Sequence, residues 1–231
     1  MKRFWKHSEA VALDGGWGVT LDGKPVRTPA RKSLLVPTEA LGKAIAEEWN
    51  ATGETVDPRA MPLTGLANAA IDRVPGDREQ FAAGLASYGE TDLACYRAES
   101  PRKLVELQEH AWDPLLGWAR RRFDVDFRTT CELIHVSQPD ATHHQLAHAV
   151  AALDAFRLAG LAPLVTIGGS LLAALAVLEG AISAEQAWDS VTVDDRWQLD
   201  QWGADAEAEA VLEARRRDYF AAARFLELLA D

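Results

Sequence analysis

His143, His144 and His148 are the residues most able to bind a metal ion in this sequence. On a helix, His144 and His148 share one face and can ligate one zinc ion. A structural zinc site wants four ligands, and Gln145-Leu146-Ala147 supplies no glutamate of the metalloprotease pattern. Surface histidines on a helix are the simpler expectation. Cys95 is a possible nucleophile, but a reactive thiol needs a base within reach and a lowered pKa. No histidine lies near it in sequence, so a buried thiol is expected. With Cys131 it completes a set of 2 cysteines, too few for a zinc ribbon or a disulfide framework. Asp194-Asp195 diverge by about 100° on a helix and seldom share one cation. Gly15-Gly16-Trp17-Gly18 reads as a hairpin turn, and Gly168-Gly169-Ser170 lacks the lysine of a phosphate loop. No cofactor or metal is expected.

From Tyr88 to Arg97 the sequence gathers two acids, an arginine, a thiol and two tyrosines. Asp92 and Arg97, five apart, would not stack on one helix face. Each should pair with another segment of the chain or with a partner. Glu106, Gln108 and Asp113 are further polar positions in the helix that follows. Asp205, Glu207 and Glu209 sit in the first turns of the last helix, where they suit the positive dipole end or a partner.

These residues must be positioned by two unlike halves. Asp14-Gly15-Gly16 between Ala10–Leu13 and Trp17–Leu21 predicts a hairpin, with a second turn at Asp22-Gly23 and a short strand at Ser33–Val36. Thr38 is a good N-cap for a helix carrying Leu41, Ile45 and Trp49 on one face, with Glu47 and Glu48 pointing elsewhere. Trp49 is expected to anchor sheet to helix or to face a partner. Beyond residue 60 the pattern is helical. Ser100-Pro101 should open a helix with proline at its first position and an apolar stripe of Leu104, Leu107, Ala111, Leu115 and Trp118. Pro114 should kink it, or Asp113 should cap a new one. Cys131–Val136 reads as a short strand or extended arm. Asp140 should begin an alanine-rich helix running to near Gly160, and Ser170 should cap another. Ser183-Ala184-Glu185-Gln186 is a capping box whose helix holds Trp188, Val191 and Trp197. The expected fold class is α+β: a β-rich N-terminal domain packed with a helix, 1–60, and a larger all-helical C-terminal domain, 61–231.

The 231 residues are 48% apolar and 26% charged, an ordinary globular composition. A net charge of −11 argues against nucleic acid, whose phosphates need a basic face. No charge falls between Arg157 and Glu179, but Pro163, Gly168-Gly169 and Ser170 interrupt that stretch. A turn and a buried helix are expected there, without membrane insertion. The N-terminus has no apolar run behind its charges and is not a signal peptide.

Several segments, in order, carry a resemblance: Leu21–Pro29, Glu48-Trp49, Met61–Thr64, Thr91–Arg97, Leu104–Gln108, Trp112–Leu115, Ser170–Leu178 and Trp202-Gly203. Together they resemble the assembly chaperones of the F-type ATP synthase that bind its unassembled alpha subunit. The resemblance covers nearly the whole chain. It implies a binding protein without catalytic residues, cofactor or metal, with a β-rich first part and a helical second part. It implies a client, the alpha subunit, whose beta-facing surface is exposed and prone to self-association until the catalytic head is assembled. Mitochondrial members carry a targeting extension, so this chain looks like a bacterial, cytoplasmic member, expected to act as a monomer. The candidate partner-facing residues are Trp49, Asp92, Arg97, Glu106, Trp112, Asp113, Trp202, Asp205, Glu207 and Glu209. Trp49 is the first to test for fold integrity, and 205–209 for client contact. The rival expectation is a small cytosolic enzyme using Cys95 or His143, His144 and His148.

Overall fold

Gly15 and Gly16 reverse the chain because both take positive φ, 85° and 147°, which a Cβ disfavours. In the computed structural model, which describes residues 2–132, 134–203 and 206–230, this turn joins β1 (Ser8–Leu13) to β2 (Gly16–Leu21). The pair is antiparallel, with Ser8 opposite Leu21 and Leu13 opposite Gly16. β3 (Lys24–Pro25) and β4 (Leu35–Val36) both pair with β2. A Cβ at Gly16 would lie 2.4 Å from the Val36 carbonyl oxygen, so glycine is required where β4 approaches.

The sheet buries one face under α1 (Glu39–Ala51), whose first turn is capped by Thr38 Oγ1 accepting the Leu41 N–H at 3.3 Å. Leu41, Ile45 and Trp49 are buried, each aliphatic contributing about 1.5–3 kcal/mol by leaving water. A Cβ at Gly42 would come within 3.1 Å of Trp17 and 3.3 Å of Ala10, the close approach that seats this helix on the strands. Trp49 meets the Trp5 ring edge-on at 5.1 Å, and Trp5 Nε1 donates to the Trp49 carbonyl at 3.2 Å. α2 (Pro62–Asp72) has no side-chain cap of its own. Glu48 supplies one from α1: its carboxylate accepts the Leu63 and Thr64 N–H groups at 2.7 and 2.8 Å and the Thr64 hydroxyl at 2.7 Å. Its carboxyl is raised from the usual range, burial outweighing these bonds.

The fold is α+β, and the chain forms two compact units. One comprises Met1–Arg78 with Asp154–Gly160 and Arg224–Asp231, the other Glu79–Leu153 with Leu161–Ala223. In order after α2 come α3 (Arg78–Ala86), α4 (Arg102–Phe123), α5 (Asp140–Ala151), α6 (Ala155–Gly168), α7 (Leu171–Leu178), α8 (Ala184–Val191), α9 (Val193–Trp202) and α10 (Ala206–Glu227). In α7, Leu171 to Ala176 are buried without a break, which is why the sequence there carries no charge. Among the described residues no helix is long and apolar enough to cross a membrane.

Several boundaries differ from the sequence expectation. Pro101 is the N-cap of α4 rather than its first residue, and α4 runs unbroken through Pro114. The alanine-rich helix stops at Ala151, because Asp154 caps a new one by accepting the Arg157 N–H at 2.9 Å. Thr192 separates α8 from α9. Among the described residues of 131–136 there is no strand; the nearest pairing is an isolated bridge between Tyr96 and Thr130. The capping box at Ser183 is present, with Gln186 Oε1 accepting the Ser183 N–H at 2.8 Å.

Candidate functional site

Asp92 and Arg97 do not lie on one helix. Asp92 caps a short 3-10 turn, Leu93–Cys95, and Tyr96 is extended. The Asp92 side chain is fully buried at the N-terminus of α7. Its Oδ1 accepts the Ala94 N–H at 3.1 Å and the Ser170 hydroxyl at 2.9 Å, and its Oδ2 accepts the Leu172 N–H at 3.0 Å. Ser170 Oγ in turn accepts the Ala173 N–H at 3.0 Å. Helix ends leave such N–H groups unpaired, and a carboxylate there also meets the positive end of the dipole. Burial nevertheless pushes the Asp92 carboxyl up to about 6, against the pull of these donors.

Arg97 is held from several sides. Its Nε donates to the Ala94 carbonyl at 2.8 Å, its backbone N–H to Thr130 O at 2.8 Å, and a terminal nitrogen to Asp113 at 2.8 Å. Its guanidinium lies 5.2 Å from the centroid of the Trp112 ring. Trp112 is 1% exposed, and its Nε1 donates to Ser190 O at 2.7 Å. Gln108, equally hidden, accepts the Ala98 N–H and donates to Asp194, both at 2.7 Å. Each of these polar groups is answered within the chain, which is what burial demands. The sequence reading of Asp92 and Arg97 left a partner open; the structure pairs both internally.

The remaining candidates are scattered. Trp49 is in the core. Glu106 pairs on the surface with Arg102 at 2.7 Å. Glu207 and Glu209 are exposed in the first turn of α10. Asp205 and the Trp202 side chain lie outside the described residues. Asp195 pairs with Arg215 at 3.0 Å while Asp194 faces Gln108, so the adjacent acids do diverge. His143, His144 and His148 are all exposed on α5, and among the described residues no group of three or more His, Cys, Asp or Glu side chains is placed to hold a metal. Cys95 is buried and its thiol is pushed up to about 12, chiefly by burial and then by the Asp92 charge, which deprives it of a nucleophile's thiolate.

One feature was missed by sequence reasoning. The buried face of α4 is Gln108, Trp112, Leu115, Leu116, Ala119 and Phe123, which shares only Leu115 with the expected stripe. Leu107 is 43% exposed, and Trp118 is half-buried. With Ala111 and Pro114 they line a trough of about 700 Å³, whose far wall is Val193 and Trp197 of α9 and whose floor is α8. The signal was available: apolar residues of α4 occupy too wide an arc for one buried face.

A sequence model of the family described as ATP12 chaperone protein matches residues 2–120. Atp12 from Paracoccus denitrificans, known as a crystal structure, is 43% identical and superposes with a TM-score of 0.93 over 99% of this chain and 98% of that one. The Atu1473 protein of Agrobacterium tumefaciens is 36% identical, with a TM-score of 0.94 over 99% of this chain and 86% of that one. Protein atp12, mitochondrial, from Schizosaccharomyces pombe is 26% identical over 222 residues, 91% of this chain and 76% of that protein.

Proposed function

This chain belongs to the ATP12 chaperone family, and from that premise we propose that it assists assembly of the F-type ATP synthase by binding the free alpha subunit. In this reading it covers the surface that alpha turns towards beta in the finished catalytic head. It acts in the bacterial cytoplasm as a monomer and yields its client when the beta subunit arrives. The observation that carries the reading is the likeness to Atp12 over 99% of the chain. Exposed apolar surface of the trough kind is also what a client-binding protein needs and what an isolated soluble domain avoids.

The experiment is co-purification. Tagged protein is expressed with newly made alpha subunit while the beta subunit is withheld. The expected result is a retained chaperone–alpha complex that dissociates when beta is added. Failure to retain alpha under these conditions removes the proposal, and retention of beta instead of alpha reassigns the client.

A further inference from the structure

The two walls of the trough in the second unit are themselves helical stripes. On α4 they are Leu107, Ala111, Pro114 and Trp118; on α9, Val193 and Trp197. From Leu107 to Arg121 the α4 wall extends for about 21 Å at 1.5 Å per residue. Gln108 bonds to Asp194 at 2.7 Å, and the Lys103 ammonium lies 5.6 Å from the Trp197 ring, so α9 advances towards the start of α4. The two helices are therefore antiparallel, and Asp200 and Arg121 mark opposite ends of the trough.

The charges at those ends are left over. Arg120 pairs with Asp126 at 3.5 Å and Arg122 with Glu179 at 2.5 Å, whereas Arg121 between them has no ion-pair partner among the described residues. Arg196 is engaged by Asp189, and Asp200 likewise has no ion-pair partner among the described residues. Apolar walls over a polar floor of Gln186, Asp189 and Ser190, with Arg121 at one end and Asp200 at the other, favour one charge order in an occupant.

We propose that this trough seats an amphipathic helix of the client, about four turns long. Its aliphatic side chains recur every three or four residues. It carries an acidic residue at the Arg121 end and a basic residue at the Asp200 end. A helix fits better than a strand because ridges of side chains at these spacings interdigitate with the stripes of the walls. The inference rests on the reading of the chain as a client-binding chaperone and names the element of the client that is bound.

The test uses the full chain and the purified free alpha subunit. A photo-crosslinking residue replaces Leu107, and Leu107→Glu and Arg121→Glu are compared with wild type for binding and for melting. The expected result is a crosslink to a helical segment with the stated charge order. Leu107→Glu should weaken binding about tenfold or more and Arg121→Glu about three- to tenfold, with melting unchanged. If wild type binds alpha while the crosslink is absent or falls on an extended segment, the trough proposal is overturned and the chaperone reading stands. Full binding by both variants overturns it equally. If wild type itself retains no alpha, the chaperone reading falls first. The crosslink gives an answer even where a charged variant melts early.

Discussion

Asp92 caps a helix from far along the chain: its Oδ2 accepts the backbone N–H of Leu172 at 3.0 Å, across 80 positions of sequence. The same carboxylate holds its own 3-10 turn through Ala94 and the Ser170 hydroxyl. Removing it strands several buried donors at once. Asp92→Ala is expected to cost about 3–5 kcal/mol, the range for breaking a buried charged network, and Asp92→Asn less because one oxygen remains. Urea unfolding of the two variants measures this. Equal, sub-kcal effects for both would mean that water replaces the carboxylate and that the cap is dispensable.

The same group sets a pH dependence with a definite sign. Its folded value of about 6 lies above the unfolded value of about 3.9, so the native state holds the proton more tightly. Its contribution to stability is therefore full below about pH 4, falls as pH rises to about 6, and is flat above. The size is on the order of 3 kcal/mol. Asn cannot titrate, so the cost of Asp92→Asn relative to wild type should shrink between pH 4 and pH 7. A cost that grows over that range would show that the α7 N-terminus holds the carboxylate ionised despite burial.

Arg97 and Asp113 form one ion pair but should not matter equally. The Arg97 side chain is 11% exposed and that of Asp113 is 62% exposed. Asp113→Ala removes a solvent-screened partner and should cost under about 1 kcal/mol. Arg97→Ala also removes the bond to Ala94 O and the contact with Trp112, and should cost about 2–4 kcal/mol. Arg97→Lys keeps charge but not the fork, and should fall between. Thermal melts of the three variants would refute the asymmetry if Asp113→Ala proved the most damaging.

Local signals were legible where the chemistry is local. The Gly15-Gly16 reversal, the Thr38 cap, the Leu41–Ile45–Trp49 face and the Ser183 capping box each depend on residues within a few positions. What the sequence hid depends on distant partners. Glu48 looks like a solvent-facing acid of α1, yet it caps α2. Nothing in residues 224–231 announces that Thr38 Oγ1 donates to Leu228 O at 2.5 Å or that Phe225 stacks on Phe156 at 6.5 Å. Asp92 and Arg97 stand out in the sequence by residue type, but whether such a side chain answers its own chain or a partner depends on how distant segments fold together. The apolar arc of α4 is too wide for one buried face, but which of its residues stay outside is set by α8 and α9, so Leu107 and Trp118 fit a core stripe as well as a surface one.

Glu48 offers a parallel to Asp92 in the first unit. Glu48→Ala leaves the Leu63 and Thr64 N–H groups of α2 without their acceptor and should cost about 2–3 kcal/mol, Glu48→Gln about 1 kcal/mol. Hydrogen exchange localises the effect: amides in the first turn of α2 should lose protection before those of α7. Uniform loss across both units would show that the cap supports global stability rather than this helix.

The two thiols should separate cleanly by reactivity. Cys95 is 1% exposed with its thiol pushed up to about 12, while Cys131 is exposed. Alkylation proceeds through the thiolate and needs access. At pH 8, iodoacetamide should therefore label Cys131 in the folded protein and both cysteines in urea. Cys131→Ser should abolish native labelling. Cys95→Ser should leave labelling unchanged but, by placing a hydroxyl in a buried site, cost about 1–3 kcal/mol. Peptide mass spectrometry assigns each label. Native modification of Cys95 at the rate of Cys131 would mean that the 88–97 segment opens or that a base activates the thiol. Either outcome would restore Cys95 as a candidate nucleophile and weaken the case for a protein that only binds.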